Sequence, residues 1–291
     1  MRVALFVNPR SGRGRADATA SEIESSLRHT GYEVVRVDLG AESEARLRAV
    51  LRQGATVLCV TGGDGTVHHA AHAASEHDVP VYHIPMGTEN LFAREFGMTR
   101  SMPTLKRALE RMETTRVDMG ECEDHTFLVM ASMGPDASVV RSLAASRNGA
   151  ISHMTYVPHI AREALRPRLL PMRVHADGEL IVDGKVGQIV VATMRQYAAR
   201  INPCPDADRA DSLLDVVFFP ARTTLGIVSH LARCRLRLGD HRNTIRANAK
   251  RVRIEVLADG APLQLDGEGV AVQSNPLEIR IRPACLPVLM P

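Results

Sequence analysis

Up to about residue 121 the chain alternates short, unbroken apolar runs with longer helix-like segments, and turn residues separate the two. Arg2 to Val7 reads as a buried strand, followed by the polar turn Asn8-Pro9-Arg10-Ser11-Gly12-Arg13-Gly14 and a helical segment from Asp17 to Thr30 that ends at Gly31. Tyr32 to Val37 predicts a strand, Glu42 to Arg52 a helix, and Thr56 to Thr61 a strand that stops at Gly62-Gly63-Asp64-Gly65. An alanine-rich helix follows. Val81 to Ile84 is the next strand, running into Pro85-Met86-Gly87-Thr88-Glu89-Asn90 and a short helix, Leu91 to Phe96, closed by Gly97. Strands alternating with helices predict a doubly wound, mostly parallel sheet. The loops starting at Asn8, Gly62 and Pro85 each follow a strand and precede a helix, which puts them on the carboxyl edge where such sheets bind ligands.

Beyond Glu121 the pattern changes. His125 to Met133, Met172 to Ala176, Val186 to Thr193, Leu213 to Phe219, Arg251 to Val256 and Leu277 to Arg282 read as strands. Asp177-Gly178, Asp183-Gly184 and Asp259-Gly260 are hairpin signals, and two helices, Ile151 to Leu165 and Thr224 to Leu238, interrupt. The fold class expected is therefore an α/β N-terminal domain plus a mainly antiparallel β-sandwich.

The glycine turn after Thr61 carries the chemistry. Its glycines let backbone approach a ligand closely, Thr66 is placed to cap the following helix, and that helix's free N–H groups favour an anion. A carboxylate beside phosphates repels them, so Asp64 implies either a metal ion or a structural clamp on backbone N–H groups.

Composition removes several classes. Aromatic residues make up 3% and tryptophan is absent, which argues against a base-stacking surface, and a net charge of +3 gives no reason to expect nucleic acid. The five cysteines are dispersed without a Cys-x-x-Cys pair, so a reduced cytoplasmic protein is expected rather than a disulfide frame or zinc site. The N-terminal apolar run is too short for a signal peptide, and no stretch approaches the roughly 18 apolar residues of a spanning helix.

Read together, six segments carry a family resemblance. They are Asn8-Pro9-Arg10-Ser11-Gly12, Gly62-Gly63-Asp64-Gly65-Thr66, Pro85 to Ala93, Gly134-Pro135-Asp136-Ala137, Asp211-Ser212-Leu213-Leu214-Asp215-Val216 and Asp266-Gly267-Glu268. In this order, spanning nearly the whole chain, they resemble the catalytic domain of the diacylglycerol kinase family, which includes sphingosine, ceramide and bacterial lipid kinases. The resemblance implies an ATP-binding domain over residues 1–121, a lipid-substrate domain over 122–282, and a segment 283–291 that returns to the first domain. It implies an ATP- and Mg²⁺-dependent kinase acting on a lipid hydroxyl, with diacylglycerol the leading acceptor. Asn8, Ser11, Gly12, Thr61, Gly62, Gly63, Gly65, Thr66, Gly87, Thr88 and Asn90 would surround ATP, with Asp64 positioning nucleotide and metal. Glu268 would be the general base, and Asp211 with the Leu213 carbonyl would hold a structural Mg²⁺. Without the resemblance, Asp266-Gly267 reads as an ordinary hairpin turn.

The sequence departs from the family at Ser212, where glycine is usual, at Ala210, where a second aspartate is common, and in Gln196 to Arg200, which lacks glycines. These put the metal site and loop shape in question. Rival readings are an NAD kinase, which shares the glycine turn, and a non-catalytic ATP- or lipid-binding regulator. Basic tracts at Arg162, Arg166, Arg168 and Arg173 and from Arg233 to Arg253 suggest peripheral contact with anionic lipid at the inner membrane face. Met130, Met133, Met154 and Met172 with Leu165, Leu169 and Leu170 read as core first and as an acyl-chain pocket second. The acceptor and any homo-oligomer are left open.

Overall fold

A computed structural model describes residues 1–138, 169–258 and 262–291. The expected helix at Ile151 to Leu165, the Asp259-Gly260 turn, Met154, Arg162, Arg166 and Arg168 lie outside these residues. By contact density the chain divides into one unit of Met1–Val117 with Ala284–Pro291 and a second of Asp118–Pro283.

The first unit is a parallel sheet with helical crossovers. Its strands are β1 (Arg2–Val7), β2 (Glu33–Asp38), β3 (Val57–Gly62) and β4 (Val81–Pro85), and its helices α1 (Arg15–His29), α2 (Ser43–Arg52) and α3 (Asp64–Glu76) connect them in turn. The order is β2-β1-β3-β4, with Val3 opposite both Val34 and Val57, and Leu58 opposite Val81. Val3 to Val7 and Val57 to Val60 are buried because crossovers cover both sheet faces, so these strands read as continuous apolar runs rather than alternating ones. Strand order reverses direction between β1 and β3, which opens a crevice at their carboxyl ends.

After α4 (Leu91–Phe96) comes α5 (Met102–Arg111), which the sequence reading passed over. Its signals are present: Ser101 accepts the Thr104 N–H, Pro103 sits in the first turn, and Leu105, Ala108 and Leu109 form its buried stripe. Two strands carry the chain from one unit to the other, β5 (Thr114–Cys122) near the middle and β15 (Leu277–Leu289) at the end. The last strand is expected to stop at Arg282, yet it runs on through Pro283 and Pro287, residues that ordinarily interrupt a ladder.

The second unit is antiparallel. Its central strand is β9 (Glu179–Ala192), paired with β8 (Leu170–Ala176), with β7 (Met130–Met133) and with β10 (Leu214–Pro220). β12 (Arg251–Val256) pairs with β8 and β15, β11 (Ile245–Ala249) with β10, and β13 (Leu263–Leu265) with β7. Strand β8 alternates buried and half-buried residues, and Met133, Leu170, Met172, Val174, Ile189, Phe218, Ile254 and Leu265 join one core. Met133, Leu170 and Met172 are thus core residues.

Two turn readings need correction or refinement. Asp177-Gly178 does turn β8 into β9, both residues having positive φ (49° and 92°). Asp183-Gly184 is no hairpin: it lies inside β9, which stays paired with β8 on both sides of it while the register slips between Met172 and His175. A left-handed glycine serves a bulge as well as a turn, so the two look alike in sequence. The strand expected from His125 to Met133 is also two strands, β6 (His125–Phe127) and β7, and the cause lies at the site below.

Candidate functional site

In the first unit the loops after β1, β3 and β4 meet. Asn8 donates its backbone N–H to the Thr61 carbonyl at 2.9 Å and its amide to the Thr66 hydroxyl at 3.3 Å. Met86 donates its N–H to the Gly62 carbonyl at 2.7 Å. A Cβ on Gly87 would stand 2.7 Å from the Gly63 Cα, so these two turns approach as closely as backbone can, and any side chain at Gly87 drives them apart. Gly12, at φ +61°, lies against Met86, where an added Cβ would meet the Met86 Cε at 3.0 Å and its carbonyl at 3.2 Å. Asn90 closes the third loop on itself, accepting the Gly87 N–H at 2.7 Å and donating to the Gly87 carbonyl at 2.8 Å. Ser11, Gly12, Gly63, Gly65, Gly87, Thr88 and Asn90 retain solvent access along this edge, whereas Thr61, Gly62 and Thr66 are buried beneath it. Arg10 and Arg13 stand exposed on the first loop and add positive charge, which the sequence reading did not weigh.

Thr66 does not cap α3. The helix begins two residues earlier, at Asp64 with Gly63 as its cap residue, so Thr66 falls in the first turn and its hydroxyl accepts from Asn8 instead. Asp64 accepts the backbone N–H of Phe92, the second residue of α4, at 3.2 Å. The carboxylate thus clamps a backbone N–H: it sits where the α3 dipole favours it and ties the third loop's helix to the second loop.

Beneath the edge lies His83, a residue without signal in an apolar strand. It is fully buried, Nε2 donates to the Gly62 carbonyl at 2.9 Å, and Nδ1 has no partner. Burial pushes its pKa down to about 4. The folded protein thus keeps His83 neutral, while the unfolded chain takes up a proton below about pH 6.5. This contribution to stability is present above pH 6.5 and is lost as pH falls towards 4. Between pH 7 and 5 the loss is expected to reach about 2 kcal/mol, and His83→Gln should remove most of that slope in urea unfolding. An unchanged slope in the variant would assign it to other groups.

In the second unit Asp266 and Gly267 (φ 51° and 85°) turn β13 into β14 (Glu268–Val270), so the hairpin reading of this pair holds. The same aspartate does more. Its carboxylate accepts the backbone N–H groups of Leu128, Val129 and Met130 at 2.6, 2.8 and 3.0 Å. Those donors are withdrawn from any strand ladder, which is why the chain breaks between β6 and β7. A second tether runs from the Gly267 N–H to the Gln264 amide oxygen (2.6 Å), from the Gln264 NH₂ to Ser132 (2.8 Å), and from Ser132 to Asp136 (2.5 Å). Tyr197 donates to Asp136 as well, at 2.7 Å. Burial pushes the Asp136 carboxyl up against the hydrogen bonds it accepts from Ser132 and Tyr197, and burial together with the neighbouring Asp136 holds the Tyr197 hydroxyl well above its ordinary value. Glu268, half-buried, is the first residue beyond the tethered turn.

The Asp211 loop also belongs to the second unit. Asp211 accepts the Leu213 N–H at 3.0 Å, and Asp118, buried in β5, accepts the Ser212 N–H at 2.7 Å while donating its own N–H to Arg209 at 2.8 Å. Nothing in the sequence pattern singled out Asp118. Asp215 has one oxygen bonded to Asn248 and the other buried without a partner, and burial, then the charge of Asp211, raises its pKa to about 6. The carboxylates of Asp211 and Asp215, the latter with its orphaned oxygen, are hard oxygen donors of the kind Mg²⁺ takes. Among the described residues no three His, Cys, Asp or Glu side chains are grouped for a metal, so backbone and water would have to supply the rest. Ser212 has φ +65°, which explains why glycine suits this position, and Ala199, Arg200 and Asn202 are left-handed too. Ser212→Gly is expected to change stability by less than about 1 kcal/mol, relief of strain being offset by unfolded-state entropy. Ser212→Val should fall at least about 2 kcal/mol below it in urea unfolding, and equal stabilities would contradict the left-handed backbone.

Comparison with known proteins bears on both units. Residues 2–122 match the family described as diacylglycerol kinase catalytic domain, and residues 129–290 match the YegS C-terminal NAD kinase beta sandwich-like domain. A diacylglycerol kinase of Mycobacterium tuberculosis is 31% identical, over 100% of this chain and 95% of its own length. A crystal structure of a diacylglycerol kinase from Bacillus anthracis superposes with a TM-score of 0.72 at 16% identity, covering 100% of this chain and 97% of that one. Yeast NADH kinase, at TM-score 0.57 and 12% identity over 97% of this chain and 79% of its own, shares the fold.

Proposed function

Because the chain belongs to the diacylglycerol kinase catalytic-domain family and is a lipid kinase, we propose that it transfers the γ-phosphoryl group of ATP to the hydroxyl of diacylglycerol or a close relative. The observation that carries the nucleotide side of this reading is the contact of the Gly63 and Gly87 turns, which lines one edge of the sheet with backbone able to touch phosphates. Neither strand-edge loop needs a lysine for this, because backbone N–H groups and the exposed Arg10 and Arg13 supply the positive field.

Phosphoryl transfer needs positioning and charge neutralisation more than covalent help. In this reading Ser11, Gly12, Gly63, Gly65, Gly87 and Thr88 cradle the phosphates, and Asn8, Asn90 and Thr66 hold the loops in shape. Asp64 fixes the second loop to the third through Phe92. Glu268 takes the proton from the acceptor hydroxyl, and the Asp266 clamp with the Gln264 tether holds the turn from which it projects. Asp211, Asp215 and the Leu213 carbonyl would hold a structural Mg²⁺, and when bound the ion would neutralise carboxylates that otherwise repel one another.

The test is transfer of labelled γ-phosphate from ATP to diacylglycerol, sphingosine, ceramide and NAD, with and without Mg²⁺. Label is expected in diacylglycerol and only with the ion present. Label in NAD alone would replace this reading with that of a nucleotide kinase.

A further inference from the structure

The chain's exposed apolar side chains are not scattered. Leu225, Val228, Leu236 and Leu238 are 77, 51, 63 and 59% exposed, four of the seven exposed large hydrophobics among the described residues, and they fall within one helix and the turn after it. That helix, α6 (Thr224–Leu236), is anchored to its own unit by the opposite face. Ile227 and His230 are buried there, and the His230 Nε2 donates to the Pro220 carbonyl at 3.2 Å while its ring packs on Phe219. Leu225, Val228, Ala232 and Leu236 recur at three- and four-residue steps, so they form a single outward stripe. Arg233 donates to the carbonyls of Leu238, Gly239 and Asp240, which fixes the turn carrying Leu238.

The border of the stripe has one sign of charge. Between Ala221 and Thr244 there are five arginines and a single carboxylate, Asp240. Arg246 engages that carboxylate through two hydrogen bonds of 2.6 and 2.7 Å. Arg222, Arg235, Arg237 and Arg242 are exposed and make no ion pair among the described residues. By contrast Arg173, from the other basic tract, is neutralised by Asp183 and Glu255.

An apolar stripe framed by free arginines has two natural partners, a second copy or an anionic surface. A second copy seated on the stripe by two-fold symmetry would bring like arginines together. An anionic bilayer satisfies both parts, leucines at the acyl boundary and guanidinium groups on phosphates. We infer that the outer face of α6 and its following turn is a docking surface for anionic phospholipid bilayers. This rests on the lipid-acceptor reading above and adds to it the surface by which the protein reaches its substrate's membrane.

The test is sedimentation of the full chain with vesicles of phosphatidylcholine alone or mixed with phosphatidylglycerol, at low and high salt. Binding is expected to the mixed vesicles and to weaken with salt. Arg235→Glu with Arg237→Glu should weaken it more than tenfold, at about fivefold per arginine removed, and Leu225→Ser with Leu236→Ser should cost roughly tenfold or more. All four side chains are exposed, so thermal melts should match the native protein. Native binding without preference for the anionic vesicles, or variants that bind like the native chain, would overturn the inference. So would a native dimer, seen by analytical ultracentrifugation, that the leucine variant dissolves. Transfer to water-dispersed dioctanoylglycerol separates the two readings: its absence from the native chain would sink the kinase assignment, while residue-dependent vesicle binding would still uphold the surface.

Discussion

Glu268→Gln is expected to lower kcat for phosphoryl transfer by about 10² to 10⁴, the usual cost of losing a general base, while ATP binding stays within a small factor of native. The substitution is isosteric, and the contacts that hold the turn belong to its neighbours: the Asp266 carboxylate and the Gly267 N–H. The loops assigned to the nucleotide come from residues 8–14, 62–66 and 85–90, and they are held in shape by bonds of their own, among them Asn8 to Thr66 and Gly87 to Asn90. A fall in kcat with KM for ATP unchanged is therefore the signature of a base acting in the transition state. Rapid-quench transfer beside calorimetric ATP titration measures both quantities. Native turnover in the glutamine variant would remove Glu268 from the chemistry.

Asp266→Ala should produce the largest loss of stability. It leaves the N–H groups of Leu128, Val129 and Met130 without an acceptor at a site where Asp266 is 7% exposed and the three partners 4% or less. Each buried orphan costs about 1–3 kcal/mol, so the sum is about 3–5 kcal/mol after local relaxation. That is a large part of the 5–15 kcal/mol typical of a folded domain. Asp266→Asn should cost less, because its amide oxygen can keep the two donors now shared by Oδ1 while its NH₂ faces the third. Urea unfolding orders the three proteins, and an alanine variant within 1 kcal/mol of native would show that the clamp is not what holds this turn. Activity should fall in the same order, since the clamp sits two residues from Glu268.

Much of the first unit was readable because its information is local. The continuous apolar runs at Val3 to Val7 and Val57 to Val60 announce strands covered on both faces, and each glycine turn marks the end of one. What the runs could not announce was strand order, yet the order β2-β1-β3-β4 is what brings the Asn8 and Gly62 loops to one crevice. In the second unit the unread features are long-range. Asp266 reaches Leu128, 138 residues away in sequence, and Asp118 reaches Ser212, 94 away. An aspartate before a glycine looks the same whether it only turns the chain or also ends a distant strand. Asp183-Gly184 and Asp266-Gly267 are indistinguishable by pattern, yet one makes a bulge and the other a clamped hairpin. His83 was hidden for the opposite reason: its bond to the Gly62 carbonyl is a neighbouring-strand contact, but its burial gives no periodic trace. The stripe on α6 was equally silent, since leucines at helical spacing say nothing about which side of the helix is covered.

The passage of β15 between the two units has a consequence for the order of synthesis. Leu286, Val288 and Leu289 are fully buried and Val288 pairs with Val81, so the β4 edge of the N-terminal sheet is completed by residues translated after all of 118–283. On the ribosome the unit that emerges first is thus finished after the second, its open edge waiting while the continuous second unit is made. An unpaired parallel edge of this kind is where a nascent chain is exposed to wrong pairing. Vectorial folding runs backwards here: the second unit can close on its own emergence, and the N-terminal sheet closes only after it.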